Sequence, residues 1–283
     1  MNDAKCAPLK LSNPAKLSHA IGHISAHGAI MEPAEYETMY QCEDAYWWYV
    51  GLRDLILSQI ARFSRGRRNL SILDAGCGTG KLLEVLNAFR AYGVEFSSAA
   101  LPFLRRRGLN SIVQASVCKI PFPDNRFDVV ISMDVIYDVE APGDQIALQE
   151  MSRVLKPGGM LLLNVPAYEF LRSRHDAAIH TKQRYTRARL REMVRQAKLR
   201  VKMITYRNTF LFPFAASVRL AQRLCRQPTT VRQSDLRPLP GLLNRALTQL
   251  LFVENRLLHC GLRFPFGLSI YGWATKEDEE GRQ

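Results

Sequence analysis

The amino-acid sequence lacks any long hydrophobic run. Its longest uncharged apolar stretches, residues 208–218 and 264–275, are shorter than the ~18–20 residues that cross a bilayer. Residues 1–30 also lack the apolar core of a secretion signal, because lysines and histidines interrupt them. These two absences argue against a membrane-spanning or secreted protein and predict a cytoplasmic one.

Closely spaced cysteines are missing as well. The six cysteines stand at least 35 residues apart, so neither a disulfide framework nor a cysteine zinc site is expected. His19, His23 and His27 have the spacing of metal ligands on a helix. Gly22 and Gly28 weaken a helix there and no carboxylate joins the three histidines, so we predict no metal site.

Charge is present but is divided unevenly along the chain. Residues 1–165 carry 17 basic and 17 acidic side chains, whereas residues 166–283 carry 22 basic and 9 acidic ones, which accounts for the whole net charge of +13. The hydrophobic fraction of 47% is ordinary for a globular protein. We therefore expect an anionic partner to meet the second part of the chain.

Helical and strand patterns alternate along most of the sequence. Apolar spacings of three and four predict helical structure over residues 32–63. Strands are then predicted at residues 70–75, 92–96, 111–114, 127–133, 160–165, 201–206 and 268–274, and helices at 81–89, 98–107, 145–154 and after Thr186. Such an alternation predicts an α/β protein with a parallel sheet covered on both faces.

Three glycines at alternate positions follow the first predicted strand, in Ile72-Leu-Asp-Ala-Gly-Cys-Gly-Thr-Gly80. A dinucleotide fingerprint would have its third glycine where Lys81 stands, and a P-loop would have Ser or Thr where Leu82 stands. Asp74 beside the loop suits a cationic ligand, and Glu95 at the end of the next strand can accept the hydroxyls of a ribose. Together they predict a nucleoside with a positive group and no phosphate, a description that S-adenosylmethionine fits.

This glycine segment resembles the first motif of the class I S-adenosylmethionine-dependent methyltransferases, and Gly93-Val-Glu-Phe-Ser97 resembles the second. Residues 120–128 (IPFPDNRFD) and 150–159 (EMSRVLKPGG) resemble the third-to-fifth motif region. The resemblance covers about residues 70–165. It implies a doubly wound, seven-stranded, mostly parallel sheet of the Rossmann-like methyltransferase fold, whose last strand is antiparallel.

The residue patterns and the resemblance together divide the chain into five predicted segments. These are a flexible N-terminal arm (residues 1–31), a helical cap (32–69), the cofactor-binding core (70–206), a helical insertion that acts as a substrate lid (207–267), and the last strand with a solvated tail (268–283).

The resemblance also assigns cofactor contacts. Glu95 would hold the ribose, Phe96 would pack on the adenine, and Ser116 replaces an Asp that often accepts from the adenine amino group. Arg53, at the end of an aromatic segment, would pair with the methionine carboxylate, or else would be solvated beside core aromatics. The full predicted set is Arg53, Asp74, Gly76, Cys77, Gly78, Gly80, Glu95, Phe96, Ser116, Val117 and Met133.

The methyl acceptor is expected beyond the carboxyl ends of the strands, in the loops after residues 133 and 165. His175 and His180 are candidates to take a proton from the acceptor, because histidine titrates near neutral pH. Tyr137 and Asp138, which follow the fourth predicted strand, are the rival candidates. Alternatively, His175 only hydrogen-bonds its own loop. Arg184 is a candidate to bind an acidic acceptor with its guanidinium fork.

We therefore predict a methyltransferase that acts on an O, N or C nucleophile of a small-molecule or lipid-linked metabolite, partly apolar or anionic. The basic second half leaves an RNA methyltransferase as an alternative, although Met133-Asp-Val-Ile136 stands where an Asn/Asp-Pro-Pro-aromatic motif would be expected. A non-catalytic cofactor-binding protein is a further alternative. The apolar and basic insertion predicts either a pocket wall or peripheral contact with a membrane.

Overall fold

The computed structural model describes residues 31–67, 69–139, 141–172, 176, 181–224 and 239–277. Seven strands form one sheet with the order β3-β2-β1-β4-β5-β7-β6. They are β1 (Ser71–Ala75), β2 (Arg90–Glu95), β3 (Ile112–Gln114), β4 (Phe127–Met133), β5 (Leu155–Pro166), β6 (Leu199–Arg207) and β7 (Ser269–Lys276).

Helices flank this sheet and extend it at the N-terminal side. They are α1 (Pro33–Cys42), α2 (Trp47–Ser64), α3 (Lys81–Val85), α4 (Leu101–Arg106), α5 (Gly143–Val154), α6 (Arg187–Gln196), α7 (Phe212–Leu224) and α8 (Gly241–His259). Short 3₁₀ turns occur at Ser98–Ala100, Ile136–Asp138 and Glu169–Leu171.

Six strands run parallel, and β7 runs antiparallel to both of its neighbours, β5 and β6. The predicted fold class is confirmed. After β1, the chain adds β2 and β3 on one side of β1 in the sheet. After β4, it adds β5 on the opposite side. Because such crossovers are right-handed, α3 and α5 cover opposite faces, and the loops after β1 and β4 meet where the strand order reverses.

The central strands are buried along their whole length. Every residue of β1 is buried, and Val130 and Leu162 on β4 and β5 are fully covered. Strands covered on both faces need continuous apolar runs rather than an alternating pattern, which is why these segments could be recognised in the sequence.

Most element boundaries lie within two residues of the predicted ones, and three features differ by more. The helical region of residues 32–63 is two helices, because a turn at residues 43–46 separates α1 from α2. Helix α3 ends at Val85 rather than at residue 89. Strand β5 begins at Leu155 rather than at residue 160, because Leu155 pairs with Phe127 as soon as α5 ends, so Lys156-Pro-Gly-Gly159 lies within the strand.

The chain between β6 and β7 contributes α7 and α8, and α8 packs closely on α2. A Cβ at Gly51 would lie 2.4 Å from Cδ1 of Leu251, so only glycine permits this approach. Asn255 Nδ2 donates to the carbonyl of Gly51 and to Asp54, both at 2.8 Å. These bonds fix α8 over the same side of the molecule as α2.

Within the described ranges, no helix has both the length and the apolar character required to cross a bilayer. The same part of the chain contains no group of three or more His, Cys, Asp or Glu side chains suited to a metal ion. His19, His23 and His27, like most of the predicted N-terminal arm and the end of the predicted tail, lie outside the described residues.

Candidate active site

The loop after β1 turns through three left-handed glycines. Gly76, Gly78 and Gly80 have φ values of 91°, 53° and 87°, a region that residues with a Cβ rarely enter. The amides of Gly76 and Cys77 donate to the carbonyl of Val94 at 2.8 and 3.1 Å. A Cβ on Gly76 would lie 2.3 Å from Cγ2 of Val135, so the loop packs directly against the residues that follow β4.

Glu95, the last residue of β2, is tied to this loop. Its carboxylate accepts from the amide of Gly78 at 2.8 Å and from the amide of Ser97 at 2.9 Å. The side chain is buried, and burial raises its pKa although these amide donors favour the charged form. The carboxylate therefore sits directly under the glycine turn.

Asp74 adds a second buried acid behind the loop. Burial, together with the nearby charges of Glu95 and Glu43, raises the pKa of its carboxyl to about 7. Burial likewise raises the pKa of the Cys77 thiol well above its ordinary value, so Cys77 is a neutral wall residue. Three acids around one loop create a negative potential that favours a cationic ligand.

The turn between α1 and α2 closes over the loop. Glu43 accepts from the hydroxyl of Thr79 at 2.5 Å and from Arg107 at 2.7 Å. Arg53 donates to the carbonyls of Glu43 and Asp44 at 2.8 and 3.3 Å, so part of its guanidinium fixes this turn. Sequence reasoning missed Glu43, because its role depends on how the turn folds back.

Four further predicted cofactor residues lie at the carboxyl ends of β2, β3 and β4. Phe96 is 46% exposed and lies next to Glu95. The hydroxyl of Ser116 accepts from the amide of Cys118 at 3.2 Å, and Val117 is buried in the core. Met133, half-buried, is the last residue of β4.

Asp134, directly after β4, is a half-buried acid that the sequence reasoning did not select. Its backbone is left-handed, with φ 55°, and its amide donates to the carbonyl of Asn164 at 2.8 Å. Its Oδ1 accepts from Nδ2 of Asn164 at 2.9 Å. Burial raises its pKa to about 6, while Asn164, Arg207 and Arg184 act in the opposite direction. The signal in the sequence was an acid placed directly after an apolar strand.

Tyr137, which the sequence offers as a base, lies among acids. Burial raises the pKa of its phenol well above the ordinary value, and the charges of Asp134 and Asp138 add to the shift. The phenol is therefore protonated at neutral pH and is a donor rather than a base. Burial also raises the pKa of Asp138 to about 7, while Lys182 lowers it.

The loop after β5 carries the remaining candidates. His175 and His180 lie outside the described residues. Arg184 is buried and donates to both carboxylate oxygens of Asp176 at 2.9 and 3.0 Å, and to the carbonyl of Ala167 at 2.8 Å. All three nitrogens of its guanidinium face inward, so Arg184 does not offer the fork that was expected to bind an acceptor.

The comparisons with known proteins agree with this geometry. Residues 73–163 match the family model described as a methyltransferase domain. A human protein named "Probable tRNA methyltransferase 9B" is 31% identical over 143 residues, which span 50% of this chain and 31% of that protein. A ubiquinone/menaquinone biosynthesis C-methyltransferase from Shewanella is 33% identical over 131 residues, or 40% of this chain and 50% of that protein.

Among solved structures, a SAM-dependent methyltransferase from Thermotoga maritima superposes with a TM-score of 0.53 at 17% identity, covering 86% of this chain and 96% of that one. This likeness shows the fold alone. The chain spans half or less of the length of the two curated relatives described.

The sheet domain contains a methyltransferase domain over residues 73–163, which agrees with the class I S-adenosylmethionine-dependent methyltransferase that the sequence motifs predicted. Its cofactor is S-adenosylmethionine. The residues fit that molecule. The loop is tightly packed, with no room for a Cβ at Gly76. The groups behind the loop are acids such as Asp74 and Glu95, which suit a cationic sulfonium nucleoside better than a phosphate.

The loop geometry gives a first prediction. Gly76→Ala should weaken binding of S-adenosylhomocysteine at least about tenfold and lower Tm by about 4 °C or more, since it adds both a strained φ and a clash with Val135. Gly66→Ala is the matched control: Gly66 has φ 85° but nothing within 4 Å of the added Cβ. Calorimetry and thermal unfolding measure the two effects. Equal binding by the two variants would contradict the proposed packing of the loop.

Proposed function

We propose that this chain transfers a methyl group from S-adenosylmethionine to a nucleophile of a small-molecule or lipid-linked metabolite that enters at the carboxyl ends of β4 and β5. The observation that carries the proposal is Asp134, a half-buried acid beside the glycine loop whose orientation is fixed by Asn164. An ionised carboxylate at this position can accept the proton that an attacking hydroxyl or amine releases.

The cofactor side of the site follows from the residues around the loop. Gly76, Gly78 and Gly80 would let the backbone approach the ligand, Glu95 and Asp74 would favour its hydroxyls and positive charge, and Phe96 would pack on its base. Cys77, Ser116, Val117, Met133 and Arg53 would complete the walls of the cofactor site. When bound, S-adenosylmethionine supplies an electrophilic methyl group, and the protein contributes alignment and exclusion of water.

The acceptor side is built from half-buried side chains. Asp134 would act as the proton acceptor, and Tyr137, protonated at neutral pH, would donate a hydrogen bond to the acceptor. His175 and His180 remain predicted alternatives for the base. The backbone carbonyl of Tyr137 accepts from the amides of Lys182 and Gln183 at 3.1 and 3.3 Å, so the segment after β5 forms the other wall of the proposed acceptor site.

One group of exposed cations lies away from the glycine loop. The exposed basic side chains Arg195, Lys198, Arg200 and Lys202 lie at the end of α6 and the start of β6. Because β6 runs parallel to β1, its start lies at the edge of the sheet opposite the glycine loop. A phosphate backbone held by these side chains would be far from the transferred methyl group.

A lipid-linked acceptor is supported by exposed apolar side chains on the insertion. Phe214 on α7 is 75% exposed and Leu242 on α8 is 82% exposed. Helix α7 begins just after the carboxyl end of β6, and Asn244 of α8 donates to the carbonyl of Ala45 in the turn over the loop. Both apolar side chains thus lie toward the edge where the acceptor would enter, which suits peripheral contact with a membrane.

An RNA methyltransferase is the second candidate. Its support is the net charge of +13 and the name of the human relative, which refers to tRNA. The two candidates require different acceptors, so one labelling experiment separates them.

Transfer of a radioactive methyl group from S-adenosylmethionine tests the proposal directly. The protein is incubated with a small-metabolite fraction, a lipid extract and total tRNA, and each fraction is then counted. We expect label in the small-molecule or lipid fraction. Label confined to tRNA would establish the second candidate, and cofactor binding without any transfer would indicate a non-catalytic protein.

Charge reversal at the start of β6 provides an independent test. Combining Lys198→Glu, Arg200→Glu and Lys202→Glu should leave labelling of the small-molecule or lipid fraction unchanged, because these exposed side chains lie away from the loop. If RNA is the acceptor, the same variant should lose RNA affinity and its log–log salt slope should decrease by about 2–3. Filter binding at several salt concentrations measures the slope.

Asp134→Asn tests the proposed proton acceptor. Turnover should fall about 100-fold while S-adenosylhomocysteine binding is kept, because an amide cannot accept the proton. In the unmodified protein, the rate should rise with pH up to about 6, where Asp134 ionises, and then level off; the variant should lose this rise. Asp124→Asn, at an exposed acid, is the control. A pH profile that both variants share with the unmodified protein would remove Asp134 from the mechanism.

A further inference from the structure

Arg207, the last residue of β6, is fully buried yet has no polar partner. None of its three guanidinium nitrogens makes a hydrogen bond, and no carboxylate of the described residues lies within ion-pair distance. Its guanidinium carbon lies 5.5 Å from the centroid of the Trp48 ring. A guanidinium is always charged and carries five donors, so leaving it unpaired in the interior is costly.

Nearby acids do not satisfy this charge. The carboxylate of Glu254 attracts Arg207 only from a distance, because it accepts from the amides of Asn208 at 2.5 Å and Thr209 at 3.0 Å. Arg184, which is also buried, donates instead to both carboxylate oxygens of Asp176. The chain can therefore pair a buried arginine fully, and at Arg207 it does not.

Other unpaired polar atoms surround Arg207. The hydroxyl of Tyr271, both side-chain polar atoms of Asn208 and Oδ1 of Asn164 are buried without hydrogen-bond partners among the described residues. The strand register pairs Asn164 with Tyr271 and Tyr271 with Thr205, two residues before Arg207, so these side chains lie on one face of the sheet. This face also carries Met133, whose register partner is Asn164.

Most of the free groups are hydrogen-bond donors. The guanidinium of Arg207, the amide nitrogen of Asn208 and the hydroxyl of Tyr271 together match the acceptor lone pairs of an oxyanion. They lie at the carboxyl end of β6 and the start of β7, the edge that also carries the glycine loop and Asp134. Ligands of open parallel sheets bind at this edge.

We propose that Arg207, Asn208 and Tyr271 form a subsite that binds a carboxylate or phosphate group of the methyl acceptor. This assignment rests on the proposed function. Three strand spacings, about 14 Å, separate the ends of β4 and β6, so the nucleophile and the anionic group of the acceptor lie up to that far apart. Because Arg207 is fully buried, entry of the anion requires the first residues of the insertion to move.

Thermal unfolding and calorimetry of the full chain test the subsite with inorganic phosphate and with acetate as separate probes. One of the two should raise the Tm of the unmodified protein by about 2–4 °C, and the more effective probe identifies the class of anion. Arg207→Met should abolish this response, and should leave the Tm without anion equal or higher, since removal of an unpaired buried charge is not destabilising. Arg200→Met, at an exposed arginine of the same strand, should behave like the unmodified protein.

Several results would overturn the subsite. The first is that neither anion changes the Tm of the unmodified protein. The second is that Arg207→Met responds to the anions as the unmodified protein does. The third is that Arg207→Met folds but has a markedly lower Tm without anion, because this result would indicate a structural role for Arg207. If Arg207→Met does not fold, Arg207→Lys gives the same comparison. Anion binding should then be at least tenfold weaker, which corresponds to a loss of about 1.4 kcal/mol in binding free energy. Unchanged binding contradicts the assignment. S-adenosylhomocysteine binding is measured on the same samples, so loss of the cofactor site is distinguished from loss of the anion site.

Discussion

The contact between Glu95 and the amides of Gly78 and Ser97 joins the two strands on which the cofactor site depends. Glycines can turn the chain in many ways, so the loop needs an external partner that selects one of them. A carboxylate at the end of β2 provides that partner, and Val135 after β4 limits the loop from the other side. The turn between α1 and α2 then binds to the loop through Glu43 and Thr79. Glu95 therefore positions the glycine loop, and the loop in turn positions the turn between α1 and α2.

The charges of the protein separate into two functional environments. Acids lie behind the glycine loop, where burial raises the pKa of Asp74 to about 7 and a cationic ligand restores favourable ionisation. Unpaired donors lie across the sheet, around Arg207. Many of the other described basic side chains in the second half are occupied within the protein, for example Arg184 with Asp176 and Arg189 with Asp144. Net charge alone therefore gives little information about the acceptor.

The sequence predicted the sheet and the glycine loop because both depend on local residue patterns. The buried strands are continuous apolar runs, and the turn has glycines at alternate positions. Asp134 and Arg207 could not be selected in the same way. Asp134 matters because Asn164, thirty residues away, orients it, and Arg207 because β7 aligns Tyr271 beside Thr205. The turn at residues 43–46 and the early start of β5 were also missed, since tertiary pairing decided both.

Strand β7 lies between β5 and β6, although it follows both in the chain and is separated from β6 by two helices. During synthesis, β6 therefore has no neighbour to pair with until residues 269–276 have left the ribosome. The half of the sheet that carries β1 to β5 has its partners earlier, so it can assemble first. Until β7 inserts, β6 keeps two unpaired edges, and this stretch is the part of the chain most exposed to wrong strand pairing.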